Sequence, residues 1–507
     1  MKREVIMKRL VCLLLAVIVC IGPFAACGKN NDPEVPTASG EESTAPQSDS
    51  GEHKPPKEYH SETNYEPEIQ NFGGYQYIIA TNDRDPVYEC IVPDGSEVTS
   101  IPIAVFRRNS YVEKLYGVEI VERNQLRNNN GEAQAYIENM DKTGEYYADI
   151  FSYYCLNLMN MTQGGYFKNI FDSEKLNLSG EWWDQNFIDT LNIDGHAYML
   201  TGDMQTDDEI HQIALMANNT LFSQFFPEKS LYDDVINDAW TLETFFNYWK
   251  GFGNDSNGNF VLDPGERIGY CYDNLTFSYF FISANINLIQ IDKTGDGYEV
   301  KSNISSEKST TLVGKLSDIL KRCNTDTIRA TQNAEFSYGG VRNAFLGGNM
   351  LFITNNLGDA IGYYLDSAND IYYLPYPKYD TDQLIYRTPV HAYFEPWSIP
   401  RTVTDFEKTC LITEALCYYS EKLTDTVRNT VIQTRLSTDP KAMKLVQVLT
   451  ESKAYDLEYI TNISGINSML SEMVRNGNTD TYTSDAEGIA KSSIKKVNQF
   501  LLGYTAS

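Results

Sequence analysis

Basic residues and histidine are scarce in this chain. Lys and Arg together number 41 against 69 Asp and Glu, and the formal net charge is −28. A surface this acidic repels phosphate groups, so nucleic acid is not expected as a partner, and a neutral or cationic solute fits better. Solubility alone is the other explanation of the acidity, because net charge describes surfaces rather than sites.

The motifs of common catalytic classes are also lacking. The chain has no Gly-x-Ser-x-Gly elbow, no His-Glu-x-x-His helix and no phosphate-binding Gly-rich Lys loop, and its five histidines are scattered. A glycoside hydrolase needs two carboxylates that face each other across a cleft, and the 69 acidic residues do not single out such a pair. The sequence therefore favours a protein that is not an enzyme and requires no cofactor, with a glycoside hydrolase as the alternative.

Long apolar runs are confined to the N-terminus, where Leu10 to Ile21 follow a positively charged start. This stretch is too short to span a bilayer comfortably and is typical of a signal peptide, here residues 1–26. It runs into Gly22-Pro-Phe-Ala-Ala-Cys27, which resembles the lipobox of bacterial lipoproteins, although Phe24 stands where Leu or another aliphatic residue is usual. The resemblance implies a diacylglycerol anchor on Cys27 and a place on the outer face of the cell membrane. An ordinary secretory signal with a chance cysteine is the alternative.

The rest of the chain divides into a tether and a large folded part. Residues 27–66 are mostly small and polar, so they cannot bury enough surface to order themselves, and we expect a flexible tether. Residues 67–507 are too many for one typical core, which favours two lobes. The six cysteines after Cys27 are widely spaced, and this argues against a disulfide framework or a zinc knuckle.

Alternating strand and helix patterns predict an α/β fold. Phe72–Ala80 is a strand, Pro102–Tyr116 a helix and Val118–Val121 a second strand, which together make a βαβ unit; Ala148–Tyr154 adds a further strand. Later elements repeat the pattern. They include a helix that begins at Thr241, a helix over 338–346, a strand over 349–354, and a helix from the capping box Thr404-Asp-Phe-Glu407 to about Leu423.

The order of these elements resembles the extracellular solute-binding proteins of ABC importers, in the carbohydrate-binding (family 1) branch. The resemblance rests on Arg108-Asn-Ser-Tyr-Val-Glu113, Trp182-Trp183, Phe345-Leu-Gly-Gly-Asn-Met350, Leu374-Pro-Tyr-Pro-Lys378 and Trp397-Ser-Ile-Pro400. It implies a two-lobed periplasmic-binding-protein-like clamp with several hinge crossings, which captures a solute and hands it to the transmembrane subunits of an ABC permease. A sensor or adhesin built on the same clamp is the alternative.

Sugar is the ligand class that the loop residues favour. Pyranose faces pack on aromatic rings, and sugar hydroxyls need Asn, Asp, Gln or Glu partners. These residue types follow predicted strands or lie at a crossing, although for any single one a core aromatic or a turn-forming Asn is the better explanation. The candidates are Asn82, Asp83, Tyr153, Tyr154, Asn355, Asn356, Glu395 and Trp397.

A calcium site is predicted in the loop 255–266. Its oxygen ligands fall at positions 1, 3, 5, 7, 9 and 12 of an EF-hand-like loop, with a main-chain carbonyl at position 7. Phe260 replaces the usual glycine at position 6, and a polar surface loop is the alternative. The predicted ligands are Asp255, Asn257, Asn259, Val261, Asp263 and Glu266.

Overall fold

The structure is a computed structural model. It describes residues 65–82, 100–126, 130–258, 262–263, 265–295, 297–323, 325–330, 338–365, 367–420, 423–424, 426–427, 436 and 439–505. The predictions made for Cys27, Asp83, Asn259 and Val261 lie outside these residues.

Helices and strands alternate through most of the described chain. In chain order they are β1 (Tyr75–Asn82), α1 (Ser100–Tyr116), β2 (Val118–Leu126), α2 (Asn130–Thr143), β3 (Ile150–Ser152), α3 (Cys155–Thr162), α4 (Gln185–Leu191), α5 (Asp207–Ile210), β4 (Ile213–Asn218), α6 (Asn219–Phe225), α7 (Leu231–Ile236), α8 (Leu242–Trp249), β5 (Ile268–Tyr272), α9 (Thr276–Ser283), β6 (Ile289–Thr294), β7 (Gly297–Ser302), α10 (Glu307–Lys321), β8 (Thr327–Arg329), α11 (Tyr338–Leu346), β9 (Met350–Asn356), α12 (Leu357–Tyr363), β10 (Ile371–Leu374), β11 (Thr388–Pro389), β12 (Trp397–Ser398), α13 (Phe406–Tyr418), α14 (Pro440–Glu451), β13 (Lys453–Ala454), α15 (Leu457–Thr461), α16 (Ile466–Asn476) and α17 (Tyr482–Tyr504).

The first lobe is built on a sheet with the strand order β12-β3-β1-β2. β1 is parallel to β2, with Tyr75 opposite Val118, and parallel to β3, with Ile79 opposite Ile150. The central residues of β1 are buried, as expected for a parallel strand that is covered on both faces. The predicted βαβ unit of β1, α1 and β2 is confirmed.

The second lobe contains a five-stranded sheet with the order β10-β4-β9-β5-β8. β4 is antiparallel to both of its neighbours, and Ile213 at its start lies opposite Asn356 at the end of β9. β5 is parallel to β9 and β8. The start of β4 and the ends of β9, β5 and β8 therefore lie at one edge of this sheet.

The described part of the chain shows at least three passages between the lobes. It leaves the first lobe before β4, returns between β10 and β12, and leaves again between α13, which packs on α1, and α14, which packs on β10. The first two crossings run side by side, because Gln212 pairs antiparallel with Val390 and the amide of His391 donates to the carbonyl of His211 at 2.9 Å. The predicted multiple hinge crossings are confirmed.

Two helix starts test the predictions from capping residues. Thr241 begins α8 as predicted, and its hydroxyl accepts from the amide of Thr244 at 3.4 Å. The prediction for Thr404 is wrong: Asp405 is the N-cap of α13, accepting from the amide of Lys408 at 3.1 Å. Both residues can cap a helix, and the carboxylate of Asp405 also complements the positive end of the helix dipole.

The folded part begins earlier than residue 67. Tyr65, within the predicted tether, stacks on Trp182 with ring centroids 5.2 Å apart, and its hydroxyl donates to Glu414. Cys155, Cys271, Cys410 and Cys417 are buried free thiols. No helix among the described residues is both long and apolar enough to span a membrane.

Candidate functional site

The candidate site is the cleft where the edges of the two sheets meet the crossing segments. On the first lobe, β3 ends at Ser152 and leads through Tyr153 and Tyr154 into α3. On the second lobe, the edge that carries the end of β9 adjoins residue 212 of the first crossing directly. Chain topology thus brings polar strand ends from both lobes to the same crossing.

Aromatic rings connect the first lobe to the crossing. Tyr154 lies with its ring centroid 5.2 Å from that of Tyr153 and 5.5 Å from that of Tyr393, and Tyr393 is 5.0 Å from His391. Tyr393 is 46% exposed although its neighbours are packed. Its ring is therefore open to a solute in the cleft.

Tyr338 offers a second open ring from the other lobe. It stands at the start of α11 and is 58% exposed. Partial desolvation raises the pKa of its hydroxyl, and the charges of Asp273 and Asp359 and the nearby Tyr393 add to the rise. Tyr393 is thus close enough to affect the charge state of Tyr338. We call Tyr338 and Tyr393, the two exposed rings, the cleft tyrosines.

Polar groups lie beside these rings on the second lobe. Asp273 follows β5, and its Oδ1 accepts from the amide of Leu275 and the hydroxyl of Thr276, both at 2.9 Å. Asn356 caps α12, accepting from the amide of Asp359 at 2.7 Å. Within the described residues, its Nδ2 has no hydrogen-bond partner. Asp273 and Asn356 thus supply an acceptor and a donor, the two kinds of group with which a sugar hydroxyl forms hydrogen bonds, at strand ends of the second lobe.

Asp207 contacts residues of both crossings. Its Oδ2 accepts from the amide of Glu395 at 2.7 Å, and its Oδ1 lies 3.2 Å from Nδ1 of His211. The predicted residue Glu395 therefore lies at the hinge, and its main chain contributes the contact.

A buried ion cluster lies next to this hinge. Nζ of Lys453 is 2.7 Å from Asp184 and from Asp208, and 2.9 Å from Glu209. The hydroxyl of Tyr455 donates to Asp208 at 3.0 Å. Burial raises the pKa of Asp208, and the two other carboxylates add to the rise while Lys453 opposes it. One cation thus links the first lobe, a crossing and the C-terminal helices.

The structure brings some of the predicted sugar-binding residues together and packs others away. Asn355, Asn356 and Glu395 lie around the cleft and the hinge, and Asn82 ends β1. Tyr154 packs against Tyr393 and is only 8% exposed. Tyr153 and Trp397 lie in the core of the first lobe, where they are 0% and 3% exposed. Because β12 pairs with β3 at this point, these two rings fill the first lobe and neither is open to a solute.

Three residues of the cleft were not anticipated from the sequence. Asp273 follows a buried strand, and that pattern is a signal that could have identified it. Tyr338 and Tyr393 carry no local signal, because pairing between distant segments places them in the cleft.

Side chains of the predicted calcium loop form hydrogen bonds with other residues of the same loop. Oε1 of Glu266 accepts from the amide and the hydroxyl of Ser256, each at 2.7 Å, and these bonds lower the pKa of Glu266. Nδ2 of Asn257 donates to Asp263 at 2.7 Å, and Asp255 accepts from the amide of residue 258. In the part of the chain that the structure describes, no group of three or more His, Cys, Asp or Glu is arranged to hold a metal ion. Calcium binding stays a prediction.

Comparisons with known proteins identify the fold. No family model and no curated protein matches the sequence. The ABC substrate-binding protein Lmo0181 of Listeria monocytogenes, solved with cycloalternan, superposes with a TM-score of 0.51 at 11% identity, over 84% of this chain and 99% of its own. Maltose-bound MalE3 of T. maritima gives 0.49 at 10% identity, over 84% and 100%. The GacH receptor of Streptomyces glaucescens gives 0.48 at 11%, over 85% and 99%.

These neighbours are solute-binding proteins, and the likeness to the Listeria protein shows the fold. The chain has the two-lobed α/β fold of the ABC substrate-binding proteins. The fold class expected from the sequence resemblance is confirmed.

Proposed function

We propose that this chain is the substrate-binding lipoprotein of an ABC importer and that it captures a carbohydrate in the cleft. The observation that carries the proposal is the pair of open rings, Tyr393 and Tyr338, beside the polar groups of Asp273 and Asn356. Pyranose C–H faces pack on such rings while their hydroxyls exchange hydrogen bonds with the polar groups. The cycloalternan complex of the similar Listeria protein supports the same ligand class.

Capture requires closure of the clamp and no covalent step. The solute binds first to one lobe, the crossings bend, and the closed form delivers the solute to the permease. Because one cleft tyrosine lies on the second lobe and the other on a crossing segment, the ligand favours the arrangement in which both rings reach it.

A lipid on Cys27 would keep the clamp close to the permease at the outer face of the cell membrane. Replacement of Cys27 by Ser is expected to move the protein from the membrane fraction into the medium or periplasm. Retention of the C27S variant in membranes would contradict the anchor and leave sugar capture untouched.

The sugar test is calorimetric titration of the chain from residue 27, with Cys27→Ala, against mono- and oligosaccharides. Tyr393→Ala should lower the affinity for the sugar that binds by about tenfold, because one ring–sugar contact is lost. Tyr136→Ala is the matched control. Tyr136 lies on α2 in the first lobe, is 38% exposed, and packs edge-on against Tyr147 rather than lining the cleft.

Two results would contradict the proposal. Absence of binding to every carbohydrate would remove sugar as the ligand class. Release of a shorter sugar during the titration would indicate a glycoside hydrolase instead.

A further inference from the structure

A cavity that is separate from the cleft tyrosines lies between the first lobe, the β6–β7 hairpin and the C-terminal helices. Its volume is about 780 Å³, which is within the usual range of small-molecule sites. Four segments line it, namely residues within 186–194, 287–298, 384–387 and 448–457. None of the cleft tyrosines is among the lining residues.

Arg387 in the wall of this cavity has unused hydrogen-bonding capacity. Its Nε donates to the carbonyl of Ile282 at 3.3 Å, and its Nη2 donates to that of Tyr455 at 3.4 Å. A guanidinium has five N–H donors, so most of them remain available. Within the described chain, no carboxylate lies at ion-pair distance from Arg387. Partial burial lowers its pKa, while the charge of Asp456 opposes that change.

The other two cations of the cavity are already neutralised. Lys453 is held by three carboxylates, and Lys293 pairs with Asp194. Asp189 and Glu451 are exposed at the rim. Asp456 also lines the cavity and acts on Arg387 through its charge, without an ion pair among the described residues. A cation without a paired carboxylate, in a wall that already carries acidic groups, suits a ligand with a single negative charge better than a polyanion such as phosphate.

Aliphatic side chains make up much of the remaining wall. Leu384 is 88% exposed and Ile385 is 64% exposed, which leaves apolar surface that a ligand can cover. Ile289, Val448 and Leu457 line the cavity nearby. The walls therefore match the hydrocarbon part of an amphiphilic ligand.

We propose that this cavity binds a small aliphatic carboxylate, whose oxygens accept hydrogen bonds from Arg387 and whose chain lies on Leu384 and Ile385. A carboxylate matches the planar donor fork of a guanidinium and forms charge-assisted bonds with it. The site is independent of sugar capture in the cleft.

Calorimetric titration with hexanoate tests the proposal, with hexanamide as the uncharged probe of the same shape. We expect hexanoate to bind at least about tenfold more tightly than hexanamide, because only hexanoate forms a charge-assisted pair. Arg387→Met should remove this preference and leave sugar affinity in the cleft unchanged. Arg475→Met is the control, since Arg475 is exposed on the surface and does not line the cavity.

Leu384→Asp keeps the test decisive if Arg387→Met fails to fold. Leu384 is almost wholly exposed, so its replacement leaves the core intact. The new carboxylate should repel hexanoate and lower its affinity by about tenfold. Absence of hexanoate binding, equal affinity for hexanoate and hexanamide, or an unchanged hexanoate affinity in L384D would each overturn the proposal.

Discussion

Glu414 on α13 provides a direct test of how burial changes the pKa of a carboxyl group in the first lobe. Its side chain is fully buried. Oε2 accepts from the indole N–H of Trp183 at 2.9 Å and from the amide of Asn177 at 3.1 Å, and Oε1 accepts from the hydroxyl of Tyr65 at 3.1 Å. Burial raises the pKa of Glu414 from its usual 4.5 to about 7, although the hydrogen bonds from Trp183 and Tyr65 oppose the rise.

The raised pKa makes the free energy of unfolding depend on pH. Between pH 4.5 and about 7 the folded protein holds a proton on Glu414 that the unfolded chain has lost. The free energy of unfolding therefore falls as the pH rises through this window, and the contribution of the bound proton is complete only below it. At 1.36 kcal/mol for each pKa unit, the loss is about 3 kcal/mol.

Glu414→Gln should abolish this contribution without breaking the hydrogen bonds. The amide oxygen can accept from Trp183 and Asn177, while the amide nitrogen donates to the hydroxyl oxygen of Tyr65. We expect the variant and the parent to have similar stability near pH 5, and the variant to be more stable by about 3 kcal/mol near pH 8.

Urea unfolding across this pH range measures the difference. Glu487→Gln on the exposed face of α17 is the control for loss of one negative charge. A difference between E414Q and the parent that stays constant with pH would refute the assignment of the titration to Glu414.

Three further changes test separate features. Lys453→Met should lower the free energy of unfolding at neutral pH by about 3–5 kcal/mol, because three buried carboxylates lose their cation; unchanged urea unfolding would contradict this. Gly253→Ala should cost about 3 kcal/mol, because its Cβ would lie 1.8 Å from the carbonyl oxygen of Thr325, whereas Gly488→Ala in α17 meets nothing within 4 Å and should be neutral or stabilising. Both glycine variants are compared by thermal unfolding. Calcium should raise the melting temperature of chelator-treated protein but not that of Asp255→Asn, and equal melting temperatures with calcium and with chelator would remove the predicted site.

Local patterns in the sequence predicted the elements that depend on local physics. The helix 338–346 has the predicted bounds, because Gly348 ends it with φ of +78°, which other residues rarely adopt. The Gly-rich turn between β6 and β7 is a local pattern of the same kind, since Gly295 has φ of +56°. The N-cap of α13 was predicted one residue too early, because Thr404 and Asp405 are adjacent and either residue type can cap a helix.

The cleft could be predicted only in part, because residues from distant segments build it. Residues after β3 were expected at the site, but Tyr153 and Tyr154 are both buried, at 0% and 8% exposed, because β12, a strand that lies far along the sequence, pairs with β3 at this point. Tyr393 reaches the cleft through the pairing of Gln212 with Val390, which no local pattern encodes. Sequence periodicity identifies strand ends, and the pairing of the crossings decides which of their side chains are open.

The positions of the cleft tyrosines give the proposed capture mechanism a physical basis. Tyr338 belongs to the second lobe and Tyr393 to a crossing segment. A solute that contacts both is held by one lobe and by the hinge at once. Its affinity is then higher for whichever arrangement of the lobes brings the two rings within reach, and this difference in affinity is what allows a ligand to favour the closed form. A ring placed on one lobe alone would bind the open and closed forms equally and would contribute nothing to closure.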